Sequence, residues 1–468
     1  MRKPLGPIVV VLAWIYTAAH FVASGIKQPL GNLSGDFLAS FPSWRLSVLL
    51  GRQDLFKGSL ADEWARMVDP KLAWVYAVAR FVFSGIKRGL LASFPSWRLS
   101  VWQGRLDLFK NILAELARMV WDPHPLWHYG PVEHLVTLPL FAFSDLRSAY
   151  TAWLIANYAF LIGILVLGFR VFHSGRSKWI WRSAVAIAVL NYGPLYEALT
   201  QRNIEIFELL LIFAAFALVL RGRQTASGFA IGLAAMTKFL PLIFLPYFVV
   251  KRRFRTLAAS MLVIALIAVA TEAVFGWRYS GIVLQLRRGG LIKSELDQSL
   301  AGMVIRLFVW TRSPLSPAML ISRGAIVLAL AGLCWLFLRA RNCIAIEDIE
   351  WSTLIVAMVL LPPHNENYYF VLLLFPYLAL LARDLRPGAP AHRARRWWLV
   401  ISFIFTGTVV PMSALSALTG KNIFSIYLQS GIPFIGAAVL ATICVRALLD
   451  ECIVSRDRQD NPGTPHAV

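Results

Sequence analysis

The chain has 468 residues, of which 58% are hydrophobic and only 15% are charged. Soluble domains are about 45–50% apolar and about 25% charged, so this composition excludes an ordinary soluble enzyme and predicts a protein solvated mainly by lipid. The formal net charge is +21, and the excess Lys and Arg lie in short clusters between apolar stretches. That distribution favours membrane lipids with anionic headgroups as partners, and not nucleic acid.

Apolar runs of about 20 residues predict helices that cross a hydrocarbon core about 30 Å thick. About eight full spans are predicted, at residues 7–26, 150–169, 182–198, 203–220, 256–275, 318–338, 397–415 and 431–448. The first run follows Arg2 and Lys3 and precedes no clear cleavage pattern, so we expect a retained signal-anchor helix. Lys and Arg collect on the cytoplasmic side of membranes, which places both termini in the cytoplasm.

Two further apolar runs, residues 226–249 and 351–382, are interrupted at their middle. Lys238 and Pro241 interrupt the first, and a Pro-Pro-His-Asn-Glu-Asn stretch at 362–367 interrupts the second. Proline breaks a helix, and a single crossing of the first run would place the basic residues 251–255 on the outer side. Each run is therefore predicted to be a broken re-entrant hairpin that returns to the cytoplasmic side.

The resulting prediction is an all-α polytopic protein of the cell membrane. Residues 1–449 form a single transmembrane domain with a large first outer loop, and residues 450–468 form a cytoplasmic polar tail. A tandem duplication relates residues 14–70 to residues 74–123, and the LASFPSWRLSV stretch at 38–48 recurs unchanged at 91–101. The duplicate lies in the first helix and outer loop, so it does not define a second domain.

Short polar motifs follow one another along the chain, and nearly all of their polar residues lie on segments predicted to be outside. In chain order they are Gly35-Asp36-Phe37, residues 127–131 (WHYGP), Gln201-Arg202-Asn203, the first hairpin with Lys238, Asp297-Gln298-Ser299 with Arg306, and the tip at His364. This order resembles glycosyltransferase family 87, the polyprenyl-phosphate-mannose-dependent alpha-mannosyltransferases of the type C membrane fold, over roughly residues 30–385. The chain departs from the family in its duplication and in Gln-Arg-Asn, where the family more often has Gly-Gln-x-Asn.

The resemblance implies a type C membrane glycosyltransferase that moves a sugar, which we expect to be mannose, from a polyprenyl phosphate donor. Transfer to a glycolipid or glycan acceptor would take place on the extracytoplasmic face, with inversion and one carboxylate base. The resemblance places that base at Asp36, and a carboxylate beside the acceptor hydroxyl can remove its proton. Position alone favours the alternative that Asp36 is the N-cap of a helix beginning at Phe37, and one side chain can serve in both roles.

Further polar side chains of these motifs are predicted to bind substrate. They are Tyr129, Glu133, His134, Gln201, Asn203, Lys238, Gln298, Ser299, Arg306, His364 and Glu366. Lys238 is an intramembrane cation that could meet the donor phosphate or bind carbonyls at the helix break. Arg202, Arg287 and Arg306 compete for the phosphate. The amides and hydroxyls suit sugar hydroxyls, but the same groups cap helices.

A lipid-linked sugar flippase or transporter is the alternative function. It predicts inverted repeats with broken helices at matching positions of two halves, whereas the clear repeat in this chain is local and the polar motifs collect on one face. The sequence contains no GxGxxG, GKS, GKT or HExxH motif. No cofactor is therefore predicted, and the sequence does not decide whether the transfer reaction requires a divalent metal.

Overall fold

A computed structural model describes the chain at residues 131–137, 139, 146–172, 178–201, 203–275, 297–311, 315–341, 343, 346–362, 365–385, 393–407, 419–420 and 423–460. The α-helices are α1 (Pro131–Thr137), α2 (Leu146–Val171), α3 (Lys178–Leu190), α4 (Gly193–Gln201), α5 (Glu205–Leu220), α6 (Gln224–Lys238), α7 (Phe244–Val250), α8 (Phe254–Phe275), α9 (Leu300–Trp310), α10 (Leu315–Arg339), α11 (Glu347–Leu360), α12 (Leu374–Asp384), α13 (Arg393–Gly407), α14 (Ile423–Gln429) and α15 (Ile432–Asp460). Two 3₁₀ helices lie at Leu240–Ile243 and Asn367–Leu373. The described residues contain no strand, which confirms the predicted all-α fold.

The chain divides into two compact units. Unit 1 comprises Met1–Phe37, Trp127–Leu135 and Leu154–Val468, and unit 2 comprises Leu38–Leu126 and Val136–Trp153. The described part of unit 2 consists of the end of α1, Pro139 and the first turns of α2. All the contacts described below lie within unit 1.

Four of the described helices are long and apolar enough to cross a membrane. Their apolar stretches are Thr151–Val171, Phe254–Thr271, Pro317–Arg339 and Ile432–Ile453, and all four coincide with predicted spans. Large apolar side chains on these helices are exposed, as with Leu328, which is 74% exposed. Apolar side chains stay exposed where lipid is the solvent, so these faces agree with a polytopic membrane protein.

One predicted span is wrong. The single span predicted at 182–198 is two helices, because α3 ends at Leu190 and α4 begins at Gly193. Pro194 explains this break, since it has no backbone N–H and its ring clashes with the carbonyl of the residue four positions earlier, Leu190. The last helix, α15, contains the predicted span 431–448 and continues beyond it to Asp460. The predicted span at 397–415 is helical to Gly407, and its remainder lies outside the described residues.

The core of unit 1 contains a cluster of buried aromatic rings that joins α5, α7, α11 and α12. Phe213 and Phe375 have ring centroids 5.0 Å apart, and Trp351 lies 5.2 Å from Phe216 and 4.7 Å from Phe244. Each such pair contributes about 0.5–1.5 kcal/mol beyond the area it buries. The cluster therefore stabilises the two broken segments, which supply α7, α11 and α12, against the continuous helix α5.

The first broken segment leaves one end of the bundle and returns to it. A Cβ atom at Gly228 would lie 2.3 Å from the carbonyl oxygen of Thr256, and one at Gly232 would lie 2.7 Å from Val263. The earlier residue of α6, Gly228, lies beside the earlier residue of α8, and the later residue, Gly232, lies beside the later one. The two helices are therefore parallel and begin at the same end. Because α8 starts directly after α7, the chain from α6 to α7 forms a hairpin, as the interruption at Lys238 and Pro241 predicts.

The second broken segment, α11 to α12, also closes on itself. The Arg383 guanidinium donates to both carboxylate oxygens of Asp348, at 2.6 and 2.7 Å, and to Glu451 at 2.6 Å. Asp348 lies in the first turn of α11 and Arg383 in the last turn of α12. The two ends of this segment therefore meet, which is the geometry that a re-entrant hairpin requires.

Ion pairs bring both broken segments to the same end of unit 1. Lys251 donates to Glu350 at 2.8 Å and to the Ala340 carbonyl at 3.3 Å, and Arg253 pairs with Glu347. We call this end, marked by Lys251, Arg253 and the Arg383 pair, the basic end. Half-buried ion pairs are screened less by salt and water than exposed ion pairs, so each of these pairs stabilises the arrangement more than an exposed surface pair would.

Candidate functional site

Most of the described candidate site residues lie at the end of unit 1 opposite the basic end. Helix α6 has 15 residues, so Lys238 lies about 21 Å along the helix from Gln224. Helix α5 runs back beside α6, which places Glu205 level with Lys238, and the two side chains form an ion pair. We call this end, which carries Glu205, Lys238 and residues 365–369, the polar layer.

Residues 365–369 (NENYY) connect three parts of the polar layer. The backbone N–H of Asn365 donates to Asp297 Oδ1 at 3.0 Å, and Asn367 Nδ2 donates to Glu197 Oε2 at 2.6 Å. The ammonium of Lys238 lies 4.1 Å from the centre of the Tyr369 ring. This short segment lies between α11 and α12, so the break in the second hairpin positions the polar layer.

Lys238, Glu205 and Glu208 form a buried charge cluster. Lys238 pairs with Glu205, and their side chains are 2% and 0% exposed. Glu208, one turn further along α5, is 0% exposed, and neither of its carboxylate oxygens has a hydrogen-bond partner among the described residues. A donor phosphate beside Lys238 would also meet these carboxyl groups, which opposes its binding. The cluster therefore favours the structural alternative for Lys238 over the phosphate role.

The Asp297-Gln298-Ser299 motif holds the start of α9 against residue 365. Asp297 Oδ1 also accepts the backbone N–H of Ser299 at 2.9 Å, and Ser299 Oγ accepts that of Gly302 at 3.1 Å. Gln298 donates through Nε2 to the Leu428 carbonyl at 2.9 Å. Ser299 is thus the N-cap of α9, so the cap alternative describes its position. The substrate-binding role of Gln298 and Ser299 stays a prediction.

Arg306 lies in the same part of the polar layer and is 7% exposed. Its Nη1 donates at 3.3 Å to the Leu428 carbonyl that also binds Gln298. A guanidinium carries five N–H donors in a planar fork, so it can bind two phosphate oxygens and still keep a bond to a carbonyl. An ammonium is a single point charge, and that of Lys238 already meets Glu205. Asp297 lies close enough to Arg306 for its charge to act on the guanidinium, so both cations have a carboxylate nearby and the phosphate-binding role of each stays a prediction.

A chain of side-chain amides ends on Glu197. Asn203 Nδ2 donates to Gln201 Oε1 at 3.0 Å, and Gln201 Nε2 donates to Glu197 Oε1 at 3.3 Å. With the bond from Asn367 to Oε2, each oxygen of the Glu197 carboxylate accepts one amide. Glu197 and Gln201 are half-buried, whereas Asn203 and Asn367 are buried. Gln201 and Asn203, predicted to read sugar hydroxyls, thus orient a carboxylate.

The structure brings most of the described candidates together. The candidates in the polar layer are Gln201, Asn203, Lys238, Gln298, Ser299, Arg306 and Glu366. Glu133 and His134 lie on α1, in a part whose side chains the structure does not describe. Outside the described residues lie Asp36, Tyr129, Arg202, Arg287 and His364.

The sequence interpretation missed the acids of the polar layer. Glu197, Glu205 and Glu208 all lie in runs assigned to apolar spans. A carboxyl group inside a membrane helix needs a partner and indicates a polar site, so this signal was present in the sequence. Asn367 and Tyr369 were missed because only their contacts with α4 and Lys238 reveal them.

An all-α bundle with two broken hairpins and a buried polar layer at one end defines a polytopic membrane protein built around a polar site. The family model for glycosyltransferase family 87 matches residues 127–363, slightly more than half of the chain. The chain belongs to this family and is a membrane glycosyltransferase. No curated protein and no solved structure matches it. The matched residues include Glu197, Lys238 and Arg306 of the polar layer.

Proposed function

We propose that the protein moves mannose from polyprenyl phosphate to a glycolipid or glycan acceptor on the extracytoplasmic face of the cell membrane. The observation that carries this proposal is the separation of the polar layer from the basic end. If the basic end is cytoplasmic, as the positive-inside rule requires, the polar layer faces the opposite side. Nucleotide sugars are absent there, whereas a polyprenyl phosphate sugar brings its own membrane anchor.

The proposed reaction is a single displacement with inversion. The acceptor oxygen bonds to the anomeric carbon while the bond from that carbon to the phosphate oxygen breaks. Asp36 removes the acceptor hydroxyl proton, and polyprenyl phosphate leaves with the bonding electron pair. We assign the phosphate to Arg306, since Lys238 is already paired with Glu205.

An assay with purified protein tests the proposed function. Labelled polyprenyl phosphate carrying mannose, arabinose or glucose is incubated with a panel of glycolipid acceptors, and GDP-mannose serves as the control donor. We expect transfer from polyprenyl phosphate mannose and none from the nucleotide sugar. Transfer from GDP-mannose alone would refute the lipid-carried donor, and transfer from another polyprenyl sugar alone would refute mannose. Movement of the lipid across vesicle membranes without transfer would support the flippase alternative.

Cysteine labelling tests the orientation of the two ends. Single cysteines at Arg223 and Arg252, both exposed near the basic end, are compared with one at Thr419. Thr419 is exposed and precedes α14, whose Leu428 carbonyl binds Gln298 of the polar layer. The native cysteines are first replaced by serine. We expect an impermeant maleimide to label Thr419→Cys in intact cells, and the other two only after permeabilisation. Labelling of Arg223→Cys and Arg252→Cys on opposite sides would contradict the first hairpin.

A further inference from the structure

The polar layer contains several carboxyl groups that differ in how far a ligand can reach them. Glu205, Glu208 and Asp297 are buried, with exposures of 0%, 0% and 5%. Glu205 is engaged by Lys238, and Asp297 by two backbone N–H groups. Glu197, in contrast, is half-buried. A ligand in the polar layer can therefore reach Glu197 without displacing the buried charge cluster.

The carboxylate of Glu197 is held in a fixed orientation. Amide groups from two different elements donate to it, Gln201 from its own helix and Asn367 from the second hairpin. Both donors are themselves held in place, since Gln201 accepts a bond from Asn203 and Asn367 is buried. A side chain locked by packing and hydrogen bonds is what precise ligand recognition requires.

The chemistry of the Glu197 carboxylate determines which ligands it can bind. An ionised carboxylate only accepts hydrogen bonds and offers about four acceptor positions, so it can hold two amides and ligand hydroxyls together. Hydrogen bonds to a charged group are stronger than those between neutral groups. Neighbouring hydroxyls of a sugar ring supply donors at the spacing of the two carboxylate oxygens.

We infer that Glu197 binds sugar hydroxyls in the polar layer, with Gln201, Asn203 and Asn367 as its positioning residues. This inference rests on the proposed function, because it takes the ligand to be a sugar of the transfer reaction. The transferred sugar and the terminal sugar of the acceptor share this hydroxyl chemistry. Steady-state kinetics distinguish the two. Substitution of Glu197 should raise the KM of the donor if the transferred sugar is bound, and the KM of the acceptor if the terminal sugar of the acceptor is bound.

The test uses the full-length protein in detergent or vesicles, with Glu197→Gln as the main variant. This change keeps the size of the side chain but replaces one acceptor oxygen by a donor and removes the charge. We expect kcat/KM to fall about 10- to 100-fold, through the KM of polyprenyl phosphate mannose if the transferred sugar is bound. Glu197→Asp keeps the charge but shortens the side chain, so it should show a smaller loss.

Deoxy substrates give a readout that a merely structural role would not change. In the wild type, one monodeoxy mannose donor or acceptor should lose activity because it lacks the bound hydroxyl. In Glu197→Gln the same analogue should show no further loss. An equal penalty for that analogue in the wild type and in a folded Glu197→Gln variant would overturn the inference.

A matched variant controls for the substitution itself. Glu347→Gln makes the same change at the basic end, where Glu347 pairs with Arg253, and should retain wild-type kinetics. Thermal stabilisation by the same sugar lipids measures binding without turnover. The wild type should be stabilised and Glu197→Gln less so; equal stabilisation of both, or of neither, would overturn the inference. An inactive wild type that is still stabilised by mannose lipids would refute the proposed function and leave the Glu197 site standing.

Discussion

The single variant Lys238→Met should lose about 3–5 kcal/mol of stability, because removal of one partner leaves an uncompensated charge in the protein interior. Its partner Glu205 has a fully buried carboxylate, and Glu208 lies one turn away. Lys238→Arg keeps the positive charge and should cost less. Thermal or denaturant unfolding in detergent, with the wild type alongside, measures the difference.

The double variant Lys238→Met with Glu205→Gln separates stability from donor binding. It removes both charges of the ion pair, so most of the lost stability should return. Glu208 is unchanged in the single and double variants, so its contribution is common to both. We expect the folded double variant to keep its KM for polyprenyl phosphate mannose within about tenfold of the wild type. A rise in that KM of about 100-fold would restore Lys238 as the phosphate ligand.

The helices could be predicted because few backbone conformations satisfy their own hydrogen bonds in lipid. A segment in hydrocarbon must satisfy its own N–H and C=O groups, so a long apolar run such as α10 reads directly as a helix. The helix breaks could be predicted from proline, because proline has no backbone N–H to donate to the helix. The hairpin at Lys238 and Pro241 was predicted by this rule, and the break at Pro194 follows from it but was overlooked.

The pairing of polar groups was beyond the sequence because it depends on three-dimensional contacts. Lys238 was recognised as an intramembrane cation, but Glu205 lies 33 residues earlier along the chain. Only the antiparallel packing of α5 and α6 brings the two level. Likewise, Ser299 as an isolated residue fits both a sugar ligand and a helix cap, and its bond to Gly302 identifies the cap.

Glu197 illustrates a third cause of failure. It was counted inside the predicted span 182–198, where a single acid changes the mean hydropathy little. Once the helix breaks before Pro194, Glu197 lies on the separate short helix α4 beside Asn367. A local backbone break thus turned a residue of an apolar run into part of a polar site, which hydropathy averaging conceals.

Asp36→Asn should abolish most sugar transfer while leaving folding and donor binding nearly unchanged. Asparagine keeps the size of the side chain and most of its ability to cap a helix, but it cannot take the acceptor proton. Loss of a general base typically lowers the rate about 10²–10⁴-fold. The loss should appear in kcat, with donor KM and unfolding temperature close to those of the wild type. The duplicated segment 74–123 lacks the Gly-Asp-Phe motif, so it cannot replace Asp36.

Glu133→Gln is the matched variant for the Asp36 assignment, because Glu133 is the next acid along the chain among the predicted site residues. We expect it to retain far more activity than Asp36→Asn under the same donor and acceptor concentrations. If Asp36→Asn kept near-normal turnover while Glu133→Gln lost it, the base would belong to the motif at 127–134. If Asp36 were only a helix cap, Asp36→Ala would lower stability by about 0.5–2 kcal/mol and Asp36→Asn would restore both stability and activity. If Asp36 is the base, Asp36→Asn should likewise restore the stability, but the activity should stay lost.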